Sequence, residues 1–89
     1  MKIKLELFGA SRDFSNKDLL EFDIKGHLEI KGFRKEIINY LDKNFKGNES
    51  FIKIVKNSVF CSEDNNIVSD DFKIIKDQKI GIIPPIGGG

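Results

Sequence analysis

The residues best suited to chemistry stand at the end of the chain. Ile82-Ile83-Pro84-Pro85-Ile86 runs directly into Gly87-Gly88-Gly89. Two prolines hold φ at about −65° and favour an extended path. Three glycines follow without side chains, leaving an unhindered carboxylate at Gly89. The last six residues would span roughly 20 Å, at about 3.3 Å per extended residue. Such an arm is stiff at its root and thin at its tip, a shape that fits a narrow tunnel in another protein. A free carboxylate is a poor electrophile, so acyl chemistry at Gly89 requires prior activation. The competing reading is a disordered end without chemistry; the strand and Pro84-Pro85 ahead of the glycines argue against it.

Composition removes most other chemistries. Eighty-nine residues with 39% hydrophobic content make one small domain with one core. Fifteen basic and fourteen acidic residues give a net charge of +1. That leaves no global field to draw in nucleic acid or an anionic membrane. One cysteine excludes an internal disulfide framework and a cysteine-based zinc cluster, and the lone His27 speaks against a histidine-based metal site or triad. No bound cofactor is expected. No apolar run approaches the ~20 residues that cross a bilayer, and Met1-Lys2-Ile3-Lys4 is no signal peptide, so a cytoplasmic location is expected.

The elements that must position the tail follow from periodicity. Lys2 to Phe8 alternates, with Ile3, Leu5 and Leu7 on one face, and so reads as a half-buried strand. Gly9 to Lys17 is polar and turn-prone, and Leu20, Phe22 and Ile24 mark a second strand antiparallel to the first. From Ile30 to Phe45 the period changes: Phe33, Ile37, Leu41 and Phe45 recur every four residues, the stripe of an amphipathic helix. Ile52 to Val55 and Val59 to Cys61 read as two short strands around Lys56-Asn57-Ser58. Ser62 to Asp71 reads as a polar loop holding Ile67-Val68, and Lys79 to Ile83 as the last strand. The expectation is an α+β domain of the β-grasp (ubiquitin-like) kind, a mixed five-stranded sheet with one main helix packed on one face. It would span residues 1–85, with residues 86–89 as a flexible glycine-rich tail.

Gly81-Ile82-Ile83-Pro84-Pro85-Ile86-Gly87-Gly88-Gly89 resembles the end of the small subunit of molybdopterin synthase, a sulfur carrier of the ubiquitin-like superfamily. That family ends in apolar residues, Pro-Pro, an aliphatic residue, a variable residue and Gly-Gly. Leu7-Phe8-Gly9-Ala10-Ser11-Arg12-Asp13 resembles its first strand and loop, and Asn57 lies where the family has Asn before its fourth strand. The extra length around Ser62 to Phe72, and Gly87 at the variable position, depart from the pattern. The resemblance implies that an activating enzyme uses ATP to adenylate the Gly89 carboxylate. A sulfur donor then makes the thiocarboxylate, which passes sulfur to a pterin precursor inside a large subunit, in a heterotetramer of two small and two large subunits. Gly88, Gly87, Ile86, Pro85 and Pro84 would form the inserted tail. Rival readings are a carrier for tRNA thiolation or thiamine synthesis, a protein modifier, or a ubiquitin-like binding module that never uses its C-terminus chemically. An autonomous enzyme is disfavoured, because no convergent set of catalytic side chains is visible.

Strand parity adds an interface. Phe8 shares the outward face of the first strand with Lys2, Lys4 and Glu6, and Ile83 points outward beside Gly81. If Val59 and Cys61 pair inward, Phe60 turns out. Phe8, Phe60 and Ile83 would then form an exposed apolar patch, where the resemblance also puts partner contacts. Arg12 matches a basic position of the family's first loop, as a partner's ion pair or as a solvated arginine. Cys61 is expected to be a buried structural thiol, His27 to be exposed, and Lys31, Lys35, Lys43 and Lys46 to form a solvated helix face.

Overall fold

Strict alternation in the first strand sets the two faces of the molecule. The computed structural model describes residues 1–86. In β1 (Lys2–Leu7) the side chains of Ile3, Leu5 and Leu7 are buried, while Lys2 and Lys4 are exposed. The strand pairs antiparallel with β2 (Leu19–Asp23) on one side and parallel with β7 (Gln78–Ile83) on the other. The connection to β2 is more ordered than a polar turn. Gly9–Phe14 is a 3-10 helix, in which the buried Ser11 hydroxyl donates to Phe8 O at 2.6 Å and accepts from Phe8 N at 3.0 Å. That pair of bonds drives Phe14 into the core.

Beyond the two-residue β3 (Leu28–Glu29), α1 spans Ile30–Phe45, the bounds read from the periodicity. Ile30, Phe33, Ile37 and Leu41 are fully buried against the sheet. Its start has no side-chain cap; Ile30 N donates to Phe72 O and Lys31 N to Asp70 O, each at 3.0 Å. The 70–72 segment thus satisfies two of the N–H groups that a helix start leaves unpaired. Lys31, Lys35, Lys43 and Lys46 are exposed, as expected. Lys31 lies 3.3 Å from Glu29 and 3.5 Å from Asp71, and the hydrogen bond to Glu29 is the largest effect raising its pKa above the ordinary lysine value.

The expected strand Ile52–Val55 is instead part of a second helix, α2 (Glu49–Asn57). Asn48 caps it, its side-chain oxygen accepting from Phe51 N at 3.1 Å. Four apolar residues among five suit either period, so the cap rather than the run decides the element. The strand this removes is restored elsewhere. β4 (Val59–Cys61) pairs with β5 (Ile67–Val68), the apolar couple assigned to a loop. One mixed sheet results, in the order β2-β1-β7-β4-β5, with β3 and β6 (Lys73–Ile74) as a separate two-stranded ribbon. The fold is the expected β-grasp, with one helix more than anticipated.

Arg34 ties these parts together, although it lies off the apolar stripe of α1. One guanidinium nitrogen donates to Val55 O at 2.6 Å and Ser58 O at 2.9 Å, and the other meets Asp70 Oδ1 at 2.6 Å. The group also stacks 4.9 Å from the Phe60 ring centroid. Replacing Arg34 by Ala should lower stability by about 2–4 kcal/mol, since it strips partners from carbonyls and a carboxylate together. Arg34→Lys should restore less than half of that, because an ammonium lacks the planar fork. Urea unfolding of both variants measures the difference.

Candidate functional site

The last strand carries the tail off the centre of the sheet, not its edge. β7 lies between β1 and β4, and ends at Ile83. Pro84 is buried, whereas Pro85 and Ile86 are exposed, Ile86 completely. The Pro84 ring sits beside Gly9, where an added Cβ would lie 3.9 Å from its Cδ and Cγ. Ala10, Ile54, Asn57 and both prolines line a cleft of about 370 Å³ here. The chain therefore leaves the body between the 3-10 helix and α2. Pro84 is thus packed and Pro85 stands free at the place where the sequence set the root of the arm. Gly87, Gly88 and Gly89, and with them most of the expected tail 86–89, lie outside the described residues.

Beside this root, the sheet face turned away from α1 carries an apolar patch. Cross-strand partners share a face, so the registers name its members. Gly81 of β7 stands beside Glu6 and Cys61, and Ile83 beside Val59. Cys61 in turn stands beside Ile67. Phe8 continues β1 in extended conformation and turns to the same face. Phe8 and Ile83 are half-buried, while Val59 and Ile67 are 45% and 63% exposed.

The assignment of Phe60 to this patch is corrected. Its partner across the ladder is the inward Ile82, so Phe60 points into the core and is fully buried. A one-residue error in strand parity exchanges the faces of every residue in the strand. Val59 takes the outward place, and Cys61 faces outward with it. The thiol is nevertheless buried, as expected, because it is covered from outside. A Cβ added to Gly81 would lie 2.7 Å from Cys61 Sγ and 3.0 Å from Phe8 Cε2. Gly81 thus leaves room for the Phe8 ring and the sulfur to close over the strand. Glycine inside a strand marks such close approach, and was the signal available in the sequence.

Charged residues border the patch toward β2. Lys79 lies 3.5 Å from Glu6 and Lys2 lies 3.9 Å from Glu21. Arg12 is exposed on the 3-10 helix and has no ion pair among the described residues, which leaves its guanidinium accessible. His27 is exposed in its loop. Among the described residues no three His, Cys, Asp or Glu side chains gather where a metal could bind, and no helix is long and apolar enough to cross a membrane. What the arrangement can do chemically is present a C-terminal segment beside an apolar face.

Gly81→Ala should destabilise the fold by about 1–3 kcal/mol, through the clash with Sγ and the Phe8 ring. Cys61→Ala should recover part of that loss in the double variant, so a double-mutant cycle in chemical denaturation should show positive coupling.

No family model and no curated protein sequence matches the chain. Solved structures do. A Pyrococcus furiosus protein provisionally named molybdopterin converting factor, subunit 1, superposes with a TM-score of 0.70 at 20% identity, over 96% of this chain and 98% of that one. SAMP1 from Haloferax volcanii superposes with a TM-score of 0.69 at 11% identity, over the full length of both. The chain shares the ubiquitin-like β-grasp fold with these proteins.

Proposed function

We propose that the chain is a sulfur carrier, the small subunit of a molybdopterin synthase, with Gly89 as the sulfur-bearing residue. The observation that carries this reading is continuity. The apolar face of Phe8, Val59 and Ile83 runs into the Pro84-Pro85 root, and the sequence beyond it is three glycines. A partner that docks on the face receives the tail at a fixed place, which makes the later attack effectively intramolecular. The name of the Pyrococcus protein with the same fold agrees with this assignment.

The chemistry is acyl activation followed by sulfur transfer. The Gly89 carboxylate attacks the α-phosphorus of ATP on an activating enzyme, forming the acyl adenylate and releasing pyrophosphate. Sulfide-level sulfur (HS⁻) released by a donor then attacks the acyl carbon. Its C–S bond replaces the C–O bond to AMP, which leaves together with a proton, and the product is a thiocarboxylate. That group is the nucleophile delivered to a pterin precursor within the large subunit. The body supplies docking and reach, and the general acids, bases and metals belong to the partners.

Incubation with a cognate activating enzyme, ATP and a sulfur source should yield a protein about 16 Da heavier by intact mass, the exchange of one oxygen for sulfur. An unchanged mass counts against the carrier reading. Deletion of Gly88-Gly89 should abolish the gain. Val59→Lys, on the docking face, should weaken binding to the activating enzyme or large subunit by about tenfold or more while the fold is kept, as calorimetry would read. Lysine-linked conjugates found instead in cell lysates would move the assignment to a protein modifier.

A further inference from the structure

At the root of the tail, β1 and β7 stop at the same level. In their parallel ladder Leu7 stands beside Ile82, so two further steps set Gly9 beside Pro84. Each strand stops for its own reason. Proline has no N–H to give a ladder. Gly9 has a φ of +55°, which turns the chain out of β1 and into the 3-10 helix. The buried Pro84 ring packs against this turn, its Cδ and Cγ 3.9 Å from where a Cβ of Gly9 would stand. That spacing has room for a methyl group, so the backbone, not the contact, demands glycine. A left-handed φ is open to glycine, tolerated by asparagine and strained for a β-branched residue.

The turn is held on both sides of Gly9. Phe8 N donates to the Ser11 hydroxyl at 3.0 Å, and Phe8 O accepts from that hydroxyl at 2.6 Å and from Ser11 N at 3.1 Å. Ser11 is fully buried. Phe14 pins the far end of the 3-10 helix. Its ring lies 5.2 Å from that of Phe51 in α2, and its carbonyl accepts from the Tyr40 hydroxyl at 2.8 Å. The 3-10 helix and α2 therefore make a fixed seat, in which Gly9 alone has a positive φ. Beyond the seat, little can correct an error of direction. Both prolines hold φ, and a residue that precedes proline is restricted in ψ as well. A tilt at Pro84 is passed on to Ile86 rather than absorbed.

We propose that Gly9 is a positioning residue for the tail: its left-handed turn seats Pro84 and so sets the direction in which Pro85 and Ile86 leave the sheet. The inference deepens the carrier reading and rests on it for its chemical consequence. A residue forced to negative φ here moves the start of the 3-10 helix against Pro84. Val59 and Ile83 stay in place, because the β4–β7 ladder sets them. A partner on that face then binds as before but receives a misaimed arm, and aim governs rate more than affinity.

The test compares Gly9→Val with Gly9→Asn in the full chain. Amide spectra check the fold, and residual dipolar couplings report the directions of residues 82–86. Gly9→Val should keep the couplings of Ile82 and Ile83 and change those of Pro84, Pro85 and Ile86. Gly9→Asn should keep them all. Gly9→Ala, which is less strained, makes the same comparison where Gly9→Val does not fold. With a cognate activating enzyme, ATP and a sulfur source, Gly9→Val should slow single-turnover mass gain by about tenfold or more. Its affinity for that enzyme in calorimetry should stay within about threefold of the wild type. Gly9→Asn should restore the rate. Unchanged Pro84 couplings in Gly9→Val, an equal change in Gly9→Asn, or a moved arm with the wild-type rate would each overturn the proposal. So would a loss of affinity without a loss of rate, which would assign Gly9 to docking. A wild-type chain that gains no mass strikes at the carrier reading, and the couplings alone then decide whether Gly9 sets the arm.

Discussion

A single guanidinium joins parts of the chain that share no strand pairing. Arg34 leaves the middle of α1, collects the carbonyls at the end of α2 and the start of β4, and meets the carboxylate of Asp70. Without it, Ser58 O would lose the guanidinium and Val55 O would keep only the 3.3 Å bond from Ser58 N. The buried Ser58 adds to the joint, with its hydroxyl donating to Ile54 O at 2.6 Å. The consequence reaches the tail, because α2 forms one wall of the cleft in which the proline root sits. The extra length between Ser62 and Phe72 belongs to the same system. It supplies Asp70 to Arg34, and main-chain acceptors to the uncapped start of α1.

How much was legible in the sequence varied with element length. β1, α1 and β7 are long enough for their period to be unambiguous, and they carry most of the core. Phe51 to Val55 is too short and too uniformly apolar, and there the cap at Asn48 outweighs any pattern. Phe60 fails for a different reason. In a three-residue strand either parity hides an apolar side chain, so only pairing with β7 decides, and pairing is a long-range fact. Arg34 was invisible because its partners are backbone carbonyls some twenty residues away, which no side-chain pattern records. Gly81, by contrast, could have been read, as a side-chain-free position inside an otherwise aliphatic strand.

The sheet divides its labour between two faces. The inner face is occupied by α1 and holds the domain together. The outer face is polar over β1 and β2 and apolar over β4, β7 and Phe8, so its apolar half lies nearest the Pro84-Pro85 root. Pro84 marks the boundary, buried against the 3-10 helix while the residue after it stands free. Position and reach are thereby set by different residues, and substitutions on the face need not disturb the arm.

The parallel pairing of β1 and β7 has a mechanical consequence. β1 begins at the N-terminus and β7 ends at the tail root, and five residue pairs join them side by side. A pull between the two ends of the domain therefore drags these strands in opposite directions along their length. Their cross-links are loaded together rather than opened one at a time. Tension between Met1 and Ile83 therefore loads the β1–β7 ladder in shear, the geometry in which its bonds share the load.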